Sequence, residues 1–294
     1  MAFFDVNPIH NKDQFRNAVS RMTAHLRNAN DDEVAEGLNW YKNVNSAVKA
    51  SVPDLGTLQH PMTESRAAGI VGAVSPNMDF ARNNINALDE IRNIKPEHWD
   101  MIRRSAEGMT VNSAGQPTKA RRIPEVGHML KELAPSLSAS PDTGLMKAHR
   151  LLQGEQLETV LPRRTAPKTN AFARNILLDP SVITIDGRSS DMISNTRLKW
   201  QDNRGINSAD LARGKTSRYE DHEEVLRQAT TRAARLDPRL REAGLTHGYE
   251  GQAITWVRGK NEELRRPDGT SRKVGTPRVG QPYDTGPLRG PRRS

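Results

Sequence analysis

Residues 161–188, LPRRTAPKTNAFARNILLDPSVITIDGR, decide how this chain is read. Pro167 suits the first position of a helix, because it lacks an N–H that would go unbonded there and its φ is already helical. Lys168 and Thr169 then fall in the first turn, where backbone N–H groups have no intrahelical acceptor and can receive an anion. The helix is expected to run over 167–178. Ser181–Ile185, SVITI, is apolar and β-branched, but five isolated residues do not make a sheet. It reads as an extended, buried approach to one carboxylate, Asp186, which follows Lys168 by 18 residues. An amine at a helix start and a carboxylate at the mouth of an apolar segment are groups that can form and break a bond at a sugar carbon. Each also has a plain reading. Lys168 can be a solvated first-turn lysine, and Asp186 an N-cap or the ion-pair partner of Arg188.

The chain N-terminal to this stretch reads as helices. Asp31-Asp32-Glu33 put carboxylates at the positive end of a helix dipole. Val34, Leu38, Tyr41, Val44 and Val48 then recur at three- and four-residue steps, an inward stripe, and Pro53 is expected to close the helix. Thr63-Glu64 opens a second helix. Its Ala67–Val74 portion is apolar on all sides and so belongs in a core, and Ser75-Pro76 interrupts it. A fresh helix is expected from Asp79, with Phe80, Ile85, Leu88 and Ile91 facing inward. Residues 103–143 are dominated by Gly, Ser, Pro and basic residues and read as a long loop or insertion with one helical piece at 126–133. Helices resume at 144–153 and 155–160. Residues 187–217 are polar and irregular. A helix over 218–236 carries Glu220, Asp221, Glu223 and Glu224, taken as a solvated acidic face. A short last helix at 249–257 offers Ala253, Ile254, Trp256 and Val257 for packing. With no strand pairs and no repeat, the fold class is all-α, one domain over 1–264.

Composition sets limits on chemistry. Hydrophobic residues make up 35% of the chain, so part of it lacks the means to pack. Cysteine is absent, which excludes disulfides, iron–sulfur clusters and thiolate zinc, and fits a reducing cytoplasm. The eight histidines are scattered without HxxxH or HExxH spacing, so no metal site is expected. There is no GxxxxGK[ST] and no GxSxG. The start, MAFFDVNPIHNKDQF, lacks a basic region followed by an apolar core, and no run approaches a membrane span, so neither secretion nor membrane insertion is expected. The net charge of +9 is uneven. Residues 265–294 hold eight Lys/Arg against two Asp/Glu, and the other 264 residues carry only +3. This Pro-, Gly- and Arg-rich end is expected to be a disordered basic tail. Such an arm holds a phosphate backbone without reading sequence, or simply solubilises the chain.

Two spaced motifs carry a resemblance. Leu161-Pro162, Lys168-Thr169 and Ile185-Asp186 are similar, in order and in Lys-to-Asp spacing, to the LPGVGxKTA hairpin and VDTH aspartate of helix–hairpin–helix DNA glycosylases of the endonuclease III type. Upstream, Val74-Ser75-Pro76-Asn77-Met78-Asp79, with Asn83 four residues on, is similar to that family's LSAQxTDxxVN turn, which lines the lesion pocket. The chain also resembles a group of actinobacterial-phage proteins sharing GLxWY, SPxxxxxxN, KxxxFxxNI, TID and QAxxW segments. These stand here at Gly37–Tyr41, Ser75–Asn83, Lys168–Ile176, Thr184–Asp186 and Gln252–Trp256.

The resemblance implies a glycosylase-like helical bundle that works on DNA; the family's iron–sulfur loop has no counterpart in a chain without cysteine, so no metal and no cofactor are expected. It implies Asp186 and Lys168 as catalytic residues and Ser75, Asn77, Asp79 and Asn83 as the base pocket. Asp186 would stabilise positive charge at the sugar C1′, and Lys168 would attack as an amine to form a Schiff base. A flipped nucleotide would be the substrate, either for excision or within a pathway of base modification. Arg163-Arg164-Thr165-Ala166 occupies the place of the hairpin glycines, with one extra residue, and Arg188 stands where the family has His. Phosphate would then be held by Arg163, Arg164, Thr169 and Arg188 rather than by a glycine backbone. The alternative is a DNA-binding protein without catalysis, using the same helices and the basic tail.

Overall fold

The computed structural model describes residues 12–55, 59–75, 83–108, 122–194 and 219–264. Every regular element among them is helical. In chain order these are α1 (Lys12–Arg27), α2 (Asp31–Leu55), α3 (Glu64–Val74), α4 (Asn83–Ile91), α5 (Pro96–Glu107) and α6 (Pro124–Leu133). A 3-10 turn (Pro135–Ala139) follows, then α7 (Asp142–Leu152), α8 (Leu157–Val160), α9 (Pro167–Ile176), α10 (Gly187–Ser194), α11 (Tyr219–Leu236), α12 (Pro238–Glu242) and α13 (Gly248–Leu264). The chain is all-α, as its patterning implies. It divides into two compact units, one of residues up to Tyr41 together with those from Pro180 on, the other from Lys42 to Asp179.

In the first unit, α1 packs on α11, and α13 packs on α11. Ala18, Val19, Met22 and Leu26 supply the inner face of α1, and Val225, Leu226, Ala229 and Ala233 that of α11. The start of α2 is closed by a reciprocal pair. Asn30 Oδ1 accepts the Glu33 N–H at 2.9 Å, and Glu33 Oε2 accepts the Asn30 N–H at 3.0 Å. The N–H groups of the residue before the helix and of its third residue are each satisfied by a side chain in this way. Pro53 does not close α2. It sits in the last turn and the helix ends at Leu55, because near a helix end its missing N–H removes only one of the final bonds. The helix expected at 249–257 extends over the longer span of α13.

In the second unit α3 is central, packed by α7 and α9. Ala67, Ala68, Ile70, Val71, Ala73 and Val74 are all buried, as an all-round apolar helix requires. Truncating Ile70 to Ala there would cost about 2–5 kcal/mol. Thr63 caps its start, its side chain accepting the Arg66 N–H at 3.2 Å. At Gly72 the crossing with α9 is at backbone distance. A Cβ there would stand 2.8 Å from the Thr169 carbonyl oxygen and 3.3 Å from Ala173 Cβ. The fresh helix expected from Asp79 is seen as α4, with Leu88 and Ile91 buried. Residues 79–82 lie outside the described residues, and so do the side chains of Phe80 and Ile85.

The stretch 103–143 is not simply a loop. It holds the end of α5, all of α6 and the 3-10 turn, while 109–121 lie outside the described residues. A buried ion pair organises it. Asp142 receives Arg122 Nε at 2.6 Å and the Ser105 hydroxyl at 2.5 Å. Arg122 also donates to the carbonyls of Ser138 and Ser140. Here polar residues order the backbone of the 3-10 turn, which a hydrophobicity pattern does not register. Residues 265–294 lie outside the described residues.

Candidate functional site

The extended segment 181–185 lies in the first unit, and Val182, Ile183, Thr184 and Ile185 are buried. A buried backbone outside any helix, with no partner strand among the described residues, must find its hydrogen bonds elsewhere. Helix α11 supplies them. The Tyr219 hydroxyl accepts the Ile185 N–H at 2.8 Å and donates to the Ile183 carbonyl at 3.1 Å. The Glu223 carboxylate accepts the Ile183 N–H at 2.8 Å. Glu223 is therefore a buried clamp and not part of a solvated acidic face, and Tyr219 and Glu223 are the site residues that sequence reasoning missed. The signal was present: Tyr219, His222, Glu223, Leu226, Ala229 and Ala233 recur at helical spacing, which sets one carboxylate on the apolar stripe.

The clamped segment delivers Asp186, which is half-buried. Its Oδ1 accepts the Ser189 N–H at 2.7 Å, and its carbonyl accepts the Ser190 N–H at 3.0 Å. Asp186 is thus the N-cap of α10, where an anion also meets the positive helix end. The Arg188 side chain lies outside what the structure describes. Behind the segment, the buried Tyr41 hydroxyl donates to Gln252 Oε1 at 3.0 Å and lies 3.2 Å from Thr184 Oγ1. Burial pushes the Tyr41 phenol up, the Thr184 hydrogen bond opposes this, and the negative charge of Asp186 adds to the rise. The segments GLxWY, TID and QAxxW thereby meet around one hydroxyl. Their contact is tight: a Cβ on Gly37 would lie 2.5 Å from Ile254 Cγ1 and 2.6 Å from Ile254 Cα. Trp40 is buried in the core of this unit and packs near the half-buried Trp256, with ring centroids 6.4 Å apart.

Lys168 lies in the other unit. Helix α8, the turn 161–166 and helix α9 form a short helix–turn–helix there. The turn closes with the Thr165 and Ala166 N–H groups on the Pro162 carbonyl, at 3.0 and 2.8 Å. The Asn170 side chain donates to the Leu161 carbonyl at 2.8 Å. No residue of the turn has positive φ, so it needs no glycine, and Arg163, Arg164, Thr165 and Ala166 fit where the resembled hairpin has glycines. Pro167 takes the first helical position, Lys168 and Thr169 are half-exposed, and Arg164 is exposed. The Thr169 hydroxyl donates to the Ala166 carbonyl at 3.2 Å.

Lys168 and Asp186 therefore belong to different units. Ser75 lies with Lys168 in the second, as the buried C-cap of α3, its hydroxyl donating to the Gly72 carbonyl at 3.0 Å. Asn77 and Asp79 are outside the described residues, as is the side chain of Asn83 at the head of α4.

The model of a family of unknown function, DUF7178, matches residues 7–263. The chain belongs to this family. The match takes in every motif described above and stops just short of the basic end. No curated protein and no solved structure matches the chain. Among the described residues, no group of three or more His, Cys, Asp or Glu side chains could hold a metal ion, and no helix is long and apolar enough to cross a membrane.

Proposed function

We propose that this protein acts on nucleobases in DNA in the manner of a DNA glycosylase, with Asp186 as its essential carboxylate. The observation that carries this reading is the half-buried Asp186, held at the end of an apolar segment whose backbone is clamped by Tyr219 and Glu223. A carboxylate fixed in advance stabilises positive charge at C1′ without reorganising as the charge develops. In that reaction the C1′–N bond breaks with its electron pair leaving on the base, and water supplies hydroxide to C1′ and a proton to the base. The α8–α9 turn supports a grip on the DNA backbone. It offers first-turn N–H groups at the positive end of α9, with the Lys168, Arg163 and Arg164 side chains beside them. The basic end, residues 265–294, would add sequence-blind attraction.

The test is base release from DNA carrying uracil or 5-hydroxymethyluracil, scored as alkali-labile sites, with Asp186→Asn as the variant. Asn keeps the cap but removes the charge, so release should stop while DNA binding persists.

One observation favours a second reading, DNA binding without catalysis. Asp186 Oδ1 is already engaged by the Ser189 N–H, which is a sufficient reason for an aspartate at this place. In that case Asp186→Asn changes nothing, and deletion of residues 265–294 weakens binding and flattens its salt dependence.

A further inference from the structure

Helices α1 and α11 border a surface cavity of about 500 Å³ within the first unit. Its lining combines two apolar residues, Phe15 and Val19, with four arginines, Arg16, Arg227, Arg232 and Arg235. Phe15 is half-exposed, and Arg16, Arg232 and Arg235 are exposed. Arg227, Thr231 and Arg235 follow at four-residue steps on α11, and Gln228 and Arg232 do the same beside them, so they share one flank. From Arg227 to Arg235 the helix advances about 12 Å.

The charges are not spent on one another. Glu224 is the single carboxylate of the lining, 2.5 Å from Arg227. Arg16 lies 3.6 Å from Asp13, with both side chains well exposed, and an exposed pair of this kind contributes at most about 1 kcal/mol. Arg232 donates to the Ser20 hydroxyl at 3.2 Å. Neither Arg232 nor Arg235 has an ion-pair partner among the described residues. The cavity is of the size that takes a small organic ligand, and its walls ask for an anion with a flat apolar part.

We propose that this cavity binds a nucleoside phosphate unit, the base stacked on Phe15 and the phosphate held by Arg232 and Arg235. Guanidinium forks match phosphate oxygens in pairs, and an aromatic face accepts any base. The nucleotide can come free or as part of a single strand. The site uses none of the residues of the α8–α9 turn and does not include Asp186, so it stands or falls apart from the function proposed above.

The experiment uses the full chain with a fluorescein-labelled ten-residue thymidine oligonucleotide, read by anisotropy over a salt series. A parallel 5-iododeoxyuridine oligonucleotide is photo-crosslinked and mapped by mass spectrometry. Residues 265–294 contribute equally in each variant, so differences between variants report the cavity. R232Q/R235Q should weaken binding about tenfold and reduce the salt slope by about 1.4, roughly 0.7 for each of two lost phosphate contacts on a single strand. F15L keeps an apolar side chain but loses the ring, so it should weaken binding roughly fivefold or more, leave the salt slope unchanged and abolish the crosslink to the Phe15 peptide. Competition by thymidine monophosphate at concentrations where inorganic phosphate does not compete assigns a free nucleotide; competition by the unlabelled oligonucleotide alone assigns a strand. Crosslinks confined to residues 265–294, affinity unchanged in both variants, or equal displacement by an acidic peptide with F15L silent would each overturn the site.

Discussion

Replacing Asp186 by Ala and, separately, by Asn divides its structural duty from any chemical one. The Asp186 carboxylate closes the start of α10 by accepting the Ser189 N–H at 2.7 Å, and Ser189 is fully buried. Alanine leaves that donor without its side-chain acceptor. Loss of an N-cap costs about 0.5–2 kcal/mol, and burial of Ser189 points to the upper half, roughly 1–2 kcal/mol. Asparagine reaches as far, offers an amide oxygen and is an equal N-cap by preference. It loses only the attraction of a charge to the helix end, about 0.3–1 kcal/mol. At about 2–4 °C of melting temperature per kcal/mol, D186A should melt roughly 2–8 °C below the unmodified chain and D186N by less than about 4 °C. Scanning calorimetry at neutral pH, with circular dichroism to confirm equal helix content, measures both. A D186A variant as stable as the parent would show that the cap does not hold the segment. A D186N variant that falls as far as D186A would show that charge, not the hydrogen bond, is what counts.

Three further outcomes are expected. His25 is buried on α1, and burial together with the nearby Arg258 charge holds its imidazole down at about 3, from an ordinary 6.5. The unfolded chain takes up a proton below about 6.5 that the folded chain refuses, so the stability tied to His25 is present above that pH and is lost as pH falls toward 3, at up to about 1.4 kcal/mol per pH unit. Urea midpoints from pH 7 to pH 4 should show this slope, and His25→Leu should flatten it; an unchanged slope refutes the assignment. Gly37→Ala drives a methyl to within 2.5 Å of Ile254 Cγ1; overpacking of this kind costs about 1–3 kcal/mol, and an unshifted melting curve would mean that α2 and α13 do not meet at backbone distance. For Lys168, placed in the grip on the DNA backbone, Lys168→Gln should weaken DNA binding and lower its salt slope by about 0.9, the loss of one phosphate contact on a duplex. Binding and salt slope unchanged in that variant would remove Lys168 from the grip.

Much of the helical framework was legible because burial leaves a period. The stripe of α2, the cap at Thr63, the apolar α3 and its end at Ser75 all follow from single residues acting locally. The extended run before Asp186 was legible from β-branched composition, but not what satisfied its backbone. That depended on Tyr219 and Glu223, more than 30 residues onward, and an acidic residue on a charge-rich helix looks solvated until its neighbours on the stripe are counted. Residues 103–143 misled for a related reason. Their order comes from the Arg122–Asp142–Ser105 cluster and not from apolar periodicity. The spacing of Lys168 and Asp186 was a statement about sequence only; the boundary between units at Asp179 and Pro180 runs between them, and no periodicity marks it. The arginine-lined cavity was not legible at all, because it joins Phe15 to Arg232 across more than 200 residues.

The most direct test of the proposed activity is base release by the D186N variant beside the unmodified protein, on the same uracil- and 5-hydroxymethyluracil-containing DNA and at matched binding. A catalytic Asp186 predicts abasic sites with the unmodified protein and none with D186N, while both bind DNA alike. Equal release by the two proteins, or none by either, contradicts it.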